Sequence, residues 1–278
     1  MPGAHMANVA VLPGRYRNGK RMKLWTRFKT AHGRTGFGLL QGDQILEHRG
    51  DLYDQPVATG ATIARDAVDL LCPCEPSKIV ALWNNYHALG AKLGKAAPSH
   101  PLFLIKPATT LNGPDAVIRR PASYAGKIVF EGELGIVIGK AASNVSEEAA
   151  RDYILGYTLV NDVTAAEIIE QDGNFAQWTR AKGFDTFGCL GPFIAEDFDW
   201  REAELVTTLD GTERQRYPLA DMIFNPWQLV ARLSQDMTLL PGDVIAVGTS
   251  IGVGSMKEGA RVEVSIDGLG TLANRMGG

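Results

Sequence analysis

The sequence contains no run of about 18 apolar residues, the length a helix needs to cross a bilayer, so no helical membrane span is expected. Cysteine is scarce: Cys72, Cys74 and Cys189 are the only three, and no two of them form a CxxC pair. An odd, unspaced set of thiols excludes a disulfide framework and fits a reducing, cytoplasmic compartment. Acidic residues are missing before Asp43, whereas Arg15, Arg17, Lys20, Arg21, Lys23, Arg27, Lys29 and Arg34 all precede it. The net charge of −3 therefore combines a basic leader with a remainder of 20 basic and 31 acidic residues. The leader's charges are spread out, and Ala7 to Leu12 is too short and too weakly apolar for a signal-peptide core. Residues 1–21 are read as a disordered, solvated extension rather than a targeting peptide or a nucleic-acid arm. Neither a nucleic-acid nor a membrane partner is expected, and no internal repeat is visible.

The 278 residues are 45% hydrophobic and 21% charged, with a mean hydropathy of −0.06, ordinary values for a globular protein. The length admits one large domain with a small appendage. Thr35 to Leu40 and Gln44 to Leu46 are strand-like around a Gln-Gly-Asp turn, residues 61–71 read as a short helix, and Cys72-Pro-Cys-Glu-Pro76 breaks the pattern. That break separates a small N-terminal domain (22–76) from a larger one (77–278). In the larger one, KIVALW (78–83), PLFLIKP (101–107), a long segment at 127–139 and YILGYTLVND (153–162) read as strands. Ser146, followed by Glu147 and Glu148, reads as a helix start. Asp210-Gly211 is a hairpin signal. Asn225-Pro226-Trp227-Gln228 combines a cap, a first-turn proline and a capping-box glutamine, ahead of an apolar stripe at Leu229, Val230, Leu233 and Met237. The tail RVEVSIDGLGTL (261–272) alternates about an Asp267-Gly268 turn. Strands dominate and helices are short, so the fold class is α+β and β-rich.

Within this pattern KIVFEGELGIVIGK (127–140) places two carboxylates in an otherwise apolar strand. Side chains alternate along a strand, so Glu131 and Glu133 share a face one pleat apart, where they repel and lose hydration. A cation compensates both. Asp162, at the end of YTLVND, supplies a third oxygen donor, and with no histidine or cysteine nearby in sequence the set suits a hard ion such as Mg2+ or Mn2+. On residue chemistry alone the alternating glutamates also fit a solvated strand face, and Asp162 also fits a helix cap.

EGELGIVIGK, AARDYILGYTLVNDVTA, QWTRAKGFDTFGCLGPFI and LLPGDVIAVGTSIGVG together resemble the fumarylacetoacetate hydrolase superfamily. Its C-terminal domain carries E-x-E-L, G-Y-T-x-x-N-D, K-x-F/G-D…G-P and G-D-x-I…G-T…G-V-G in this order. The resemblance spans about residues 78–275. It implies a mixed β-roll C-terminal domain, a divalent metal on Glu131, Glu133 and Asp162, a homodimer, and small 2-oxo or enol carboxylic acids as substrates, in aromatic-compound catabolism. Lys182 matches the family's active-site lysine, a group that stabilises developing enolate charge and passes protons. Thr249, with Gly248 in the same turn, matches the threonine that binds the substrate carboxylate, and Lys106 matches a lysine beside the pocket. Without the resemblance Lys182 reads as a surface lysine and Thr249 as turn chemistry. Asp185 is assigned to structure.

The sequence departs from the family at NNYHALGAK (84–92). Many relatives have Asn-Tyr-x-x-His-x-x-Glu there, a lid whose His–Glu pair activates water. Asn85 and Tyr86 fit, but Leu89 and Lys92 occupy the His and Glu positions. His87, two residues early, is the candidate replacement, and it also reads as an exposed loop histidine. Ala166, Val247 and Ser250 replace the family's Arg, Thr and Pro. The segment also resembles the isomerase/decarboxylase branch acting on hydroxyheptadienedioates, which needs no activated water. Three functions follow: first, metal-dependent hydrolysis of a C–C bond in an acylpyruvate-type acid; second, isomerisation or decarboxylation with the same metal and Lys182; third, oxo-acid binding without catalysis.

Overall fold

The strand Gly132–Ile138 is buried along its whole length. It pairs antiparallel with Ile154–Asp162 on one side and with Val244–Ala246 on the other. Its Ile and Val side chains are covered on both faces of the sheet, which is why the run is continuously apolar instead of alternating. The computed structural model describes residues 22–278, and the extension expected at residues 1–21 lies outside the described residues. Around this central strand the described residues form a 12-stranded mixed sheet, a five-stranded sheet and a three-stranded one. The protein is thus β-rich α+β.

Several expected elements are present. Lys78–Trp83 runs parallel to Val244–Ala246 and antiparallel to Leu102–Pro107. Asn225 caps the helix Pro226–Asp236 by accepting from the backbone of Trp227 and Gln228, while the Gln228 side chain accepts from the Asn225 N–H. The tail forms the pair Arg261–Ile266 and Gly270–Met276.

Three elements differ from the sequence reading. Residues 61–71 are not a helix but the end of strand Asp54–Ala64, a 3-10 turn at Arg65–Ala67 and strand Val68–Leu71. Val68 and Leu70 are buried while Asp69 is exposed, and the segment pairs with Leu24–Thr30, so cross-strand pairing overrides a helix-tolerant composition. Ser146 opens no α-helix; its hydroxyl accepts from Ala149 N–H at 3.4 Å, and only a 3-10 turn follows at Ala150–Tyr153. The long strand expected over 127–139 is two strands, Ile128–Phe130 in the three-stranded sheet and Gly132–Ile138 in the large one. The chain changes sheet at Glu131–Gly132, where a Cβ on Gly132 would lie 2.2 Å from Thr207 Oγ1. Only glycine fits under that close approach.

The N-terminal strands join the same large sheet. Leu24 and Trp25 pair with Ala195 and Ile194 at the end of strand Gly188–Ala195, and Leu111–Asn112 pairs with the other end of that strand. Between them the Thr26 hydroxyl donates to the Pro192 carbonyl at 3.1 Å. In the segment Cys72–Pro76 every residue but the exposed Glu75 is buried, and Cys72 and Cys74 are free thiols, as is the buried Cys189. Burial pushes the thiols of Cys74 and Cys189 up to about 12, so they stay protonated and unreactive at neutral pH.

Asp243 fixes the start of the parallel pair. Its buried carboxylate accepts from Ser77 N–H (3.0 Å), Ser77 Oγ (2.6 Å), Lys78 N–H (3.2 Å) and Leu240 N–H (2.8 Å), and pairs with the Lys78 ammonium at 2.5 Å. An Asp243→Ala substitution strands these donors and should lower stability by about 3–5 kcal/mol, the usual cost of breaking a buried charged pair. Urea unfolding with an unchanged m-value measures it. A loss below about 1 kcal/mol, the range of exposed ion pairs, would contradict the assignment.

Candidate metal centre and active site

The sheet change at Glu131–Gly132 lies directly against the end of strand Ile154–Asp162. Glu131 N–H donates to Asn161 Oδ1 at 3.1 Å, and Asp162 N–H donates to the Glu131 carbonyl at 2.9 Å. These two clips bring Glu131, Glu133 and Asp162 together, each offering a carboxylate oxygen within 4.8 Å of the others. Glu133 and Asp162 are fully buried, and Glu131 keeps a 16% exposed side chain that marks the open side of the cluster.

Two lysines meet these carboxylates. Lys182, the last residue of helix Trp178–Lys182, is 2% exposed. Its ammonium contacts Asp162 Oδ2 at 2.6 Å, Glu131 Oε1 at 3.0 Å and Thr164 Oγ1 at 2.6 Å. Thr164 in turn donates to Glu131 Oε1 at 2.8 Å. Lys106, on strand Leu102–Pro107, is fully buried; its ammonium donates to Asp162 Oδ1 and to the Val163 carbonyl at 3.2 Å. It is therefore a sealed partner of Asp162.

Glu133 has a different environment. Its Oε2 accepts from Gly248 N–H at 2.8 Å, and its Oε1 is buried with no hydrogen-bond partner. Gly248 has φ +94°, a left-handed conformation that favours glycine and aims its N–H at the carboxylate. Next to it, Thr249 Oγ1 donates to the Gly132 carbonyl at 2.9 Å. The orphaned oxygen, the three clustered carboxylates and the all-oxygen donor set fit a divalent cation.

The electrostatics follow from this geometry. Burial, reinforced by the charges of Asp162 and Glu131, pushes the Glu133 carboxyl well above its ordinary value. Burial would raise Asp162 as well, but the ammonium groups of Lys106 and Lys182 hold it below its ordinary value. For Lys182, burial disfavours the charge, yet Asp162, Glu131 and Glu133 outweigh it and raise the ammonium above its ordinary range.

His87 stands apart. It opens the helix His87–Leu93 with its side chain exposed, and none of the hydrogen bonds of the cluster reaches it. Leu89 packs against the core and Lys92 is exposed. The preceding Asn85 is pinned, donating to Phe224 and Val247 carbonyls (3.2 and 2.8 Å) and accepting from Phe224 N–H at 2.8 Å. It thereby fixes Tyr86, a fully buried ring set 4.9 Å from that of Tyr217. Thr164, Gln215 and Tyr217 also reach this region without having been singled out in the sequence. Thr164 was findable two positions beyond Asp162. Gln215 and Tyr217 lie in a charged stretch, TERQRYP, that reads as a solvated strand, with only their period-two spacing as a signal.

The raised Glu133 carboxyl has a consequence for stability. The metal-free native state keeps a proton that the unfolded state releases near the ordinary value of 4.5. Stability from that proton is fully present below this value and is lost as pH rises through the raised one. A cation competes with the proton for the same oxygens. Thermal midpoints measured with a divalent cation and with a chelator should therefore diverge as pH rises above the ordinary carboxylate range, and Glu133→Gln should abolish the divergence. A cation effect that shrinks with rising pH would contradict the assignment.

Among the described residues no helix is long and apolar enough to cross a membrane. The family model described as fumarylacetoacetate (FAA) hydrolase C-terminal matches residues 78–277, and one described as Rv2993c-like, N-terminal matches residues 22–73. The chain is 42% identical to Protein Rv2993c of Mycobacterium tuberculosis over 234 residues, 83% of this chain and 86% of that one. It is 34% identical to the oxaloacetate tautomerase YisK of Bacillus subtilis over 216 residues, 73% of this chain and 71% of that one. Among solved structures, a 2-hydroxyhepta-2,4-diene-1,7-dioate isomerase from Mycobacterium marinum superposes with a TM-score of 0.83 at 38% identity, covering 92% of this chain and 98% of that one. The family model covers most of this chain, which belongs to the fumarylacetoacetate hydrolase family.

Proposed function

We propose that the protein is a divalent-metal-dependent enzyme that moves a proton on a small 2-oxo carboxylic acid, as an isomerase or tautomerase. The observation that supports this reading most directly is Lys182, a charged, buried ammonium bonded to two of the three clustered carboxylates. Mg2+ or Mn2+ is the proposed ion, since all three donors are hard oxygens. Bound there, the ion supplies Lewis acidity to a 2-oxo carboxylate.

The chain's own groups do the rest. Three carboxylates and two ammonium groups leave the cluster one negative charge, so a divalent ion makes it singly positive and matched to a carboxylate substrate. Lys182 spends its donors on Asp162, Glu131 and Thr164. The bond to Glu131, on the open side, is the one that an enolate oxygen replaces. The ammonium stabilises the negative charge that develops there. Thr249 and Gly248 N–H form the wall where the substrate carboxylate is held. Such a reaction needs no base for water, which suits a lid segment with Leu89 and Lys92 in place of the His–Glu pair. A homodimer and a role in aromatic-compound catabolism belong to the same reading, as do the relatives named as an isomerase and a tautomerase.

Hydrolysis of an acylpyruvate-type C–C bond is the second reading. His87 favours it, because it follows directly on Tyr86, whose buried ring packs against Tyr217.

A panel of oxaloacetate, acylpyruvates and hydroxymuconate-type dienes, followed by product analysis, separates these readings. Lys182→Met should cut kcat by roughly 10²–10⁴-fold, the range of a general acid–base group, while the protein still binds metal. His87→Ala should cost far less. If His87→Ala proves the more damaging and cleavage products appear, hydrolysis becomes the function. Oxalate binding without turnover of any panel member would instead indicate a binding protein.

A further inference from the structure

Strand Thr212–Pro218 is exposed at most positions, yet Gln215 within it is 1% exposed. Its Oε1 accepts from Gly132 N–H at 3.1 Å. Its Nε2 lies 2.9 Å from Thr249 Oγ1, 3.4 Å from the Ser250 carbonyl and 3.5 Å from the Ile251 carbonyl. The partners fix the orientation of the amide: an N–H must meet oxygen at one end, and two carbonyls must meet NH2 at the other. Thr249 Oγ1 therefore receives a hydrogen bond from Gln215. Its own proton has to point elsewhere, and it goes to the Gly132 carbonyl at 2.9 Å. That carbonyl also accepts from Tyr217 OH at 2.6 Å.

We infer that Gln215 is a positioning residue that fixes Thr249 as a hydrogen-bond donor toward the carboxylate of the substrate. When the anion arrives, the Thr249 proton turns to it, and the Gly132 carbonyl stays satisfied by Tyr217, so no buried acceptor is orphaned. Without Gln215 the hydroxyl is free to rotate and to present a lone pair to the anion, which is repulsive. Tyr217 acts as the reserve donor that makes the exchange cost little. The inference rests on the proposed reading that a carboxylate group binds at Thr249. It adds that the polarity of this contact is set from strand Thr212–Pro218.

The test compares wild type, Gln215→Met, Gln215→Glu, Thr249→Val and the Gln215→Met/Thr249→Val double variant, each loaded with Mn2+ and titrated with oxalate. Gln215→Met and Thr249→Val should each weaken oxalate roughly 10- to 100-fold, the worth of a hydrogen bond to a charged group. The double variant should bind no more weakly than the worse single one, and Gln215→Met should bind Mn2+ as wild type does. Gln215→Glu keeps an acceptor for Gly132 N–H but has no donor for Thr249, so it should lose oxalate as Gln215→Met does. Wild-type oxalate affinity in Gln215→Glu, additive losses in the double variant, or a parallel loss of Mn2+ in Gln215→Met would each overturn the proposal and leave Gln215 as a brace for the Gly132 strand. If wild type binds Mn2+ but no oxalate, the functional reading falls. Urea unfolding of the same proteins then decides the Gln215–Thr249 link without a ligand: coupled losses support it and additive losses refute it.

Discussion

The carboxylate of Asp162, shared between Lys106 and Lys182, is the interaction on which the site depends. Fully buried charges of one sign do not persist without partners, because the cost of dehydrating them exceeds what packing returns. Three carboxylates stand here where the start of strand Gly132–Ile138 meets the end of strand Ile154–Asp162, and the two ammonium groups arrive from separate elements, a strand at residues 102–107 and a helix at 178–182. Each lysine takes one oxygen of Asp162. The long stretches of chain between these residues serve to bring the three charges into register, and the strand order of the sheet is what makes that register unique.

Around this pair the site divides into a closed half and an open half. Lys106, Asp162 and Glu133 form the closed half, with no exposed side-chain surface. Glu131 and Lys182 border the open half, bridged by the Thr164 hydroxyl. Lys106 and Asp162 form a sealed ion pair, whereas Glu131 and Lys182, whose contacts can be exchanged, border the open side. The Gly248–Thr249 turn completes the wall by touching Glu133 on one side and the Gly132 carbonyl on the other.

Much of this was legible in the sequence because it was incongruous there. Two glutamates in a Val/Ile-rich segment announce a compensating charge, and Asp162 at a strand end shares that logic. Lys182 and Thr249 have no such signature: each is an ordinary polar residue in a polar stretch, and only the resemblance to a family singled them out. Lys106 was singled out by the resemblance alone as a lysine beside the pocket; its bond to Asp162 has no signature in FLIKP. The change of sheet at Gly132 was hidden because apolar residues continue on both sides of it. Thr207, whose hydroxyl leaves no room for a side chain at Gly132, is about 75 positions away in the chain. Gln215 was hidden for a related reason. Flanked by Arg214 and Arg216, it looks solvated until tertiary packing turns one face of its strand inward.

The junction between the two parts of the chain has a consequence for how the family's C-terminal unit exists in other contexts. Strand Gly188–Ala195 would be the margin of the large sheet in that unit. In this protein it is closed at one end by Leu111–Asn112 and at the other by Leu24 and Trp25, while Thr26 occupies the Pro192 carbonyl in between. Were the N-terminal strands removed, the open backbone groups at Ile194 and Ala195 would remain beside an uncovered apolar surface. A free edge of that kind recruits strands from other chains. The small N-terminal part thus acts as an edge protector, and a relative that dispenses with it must seal the same two residues by other means.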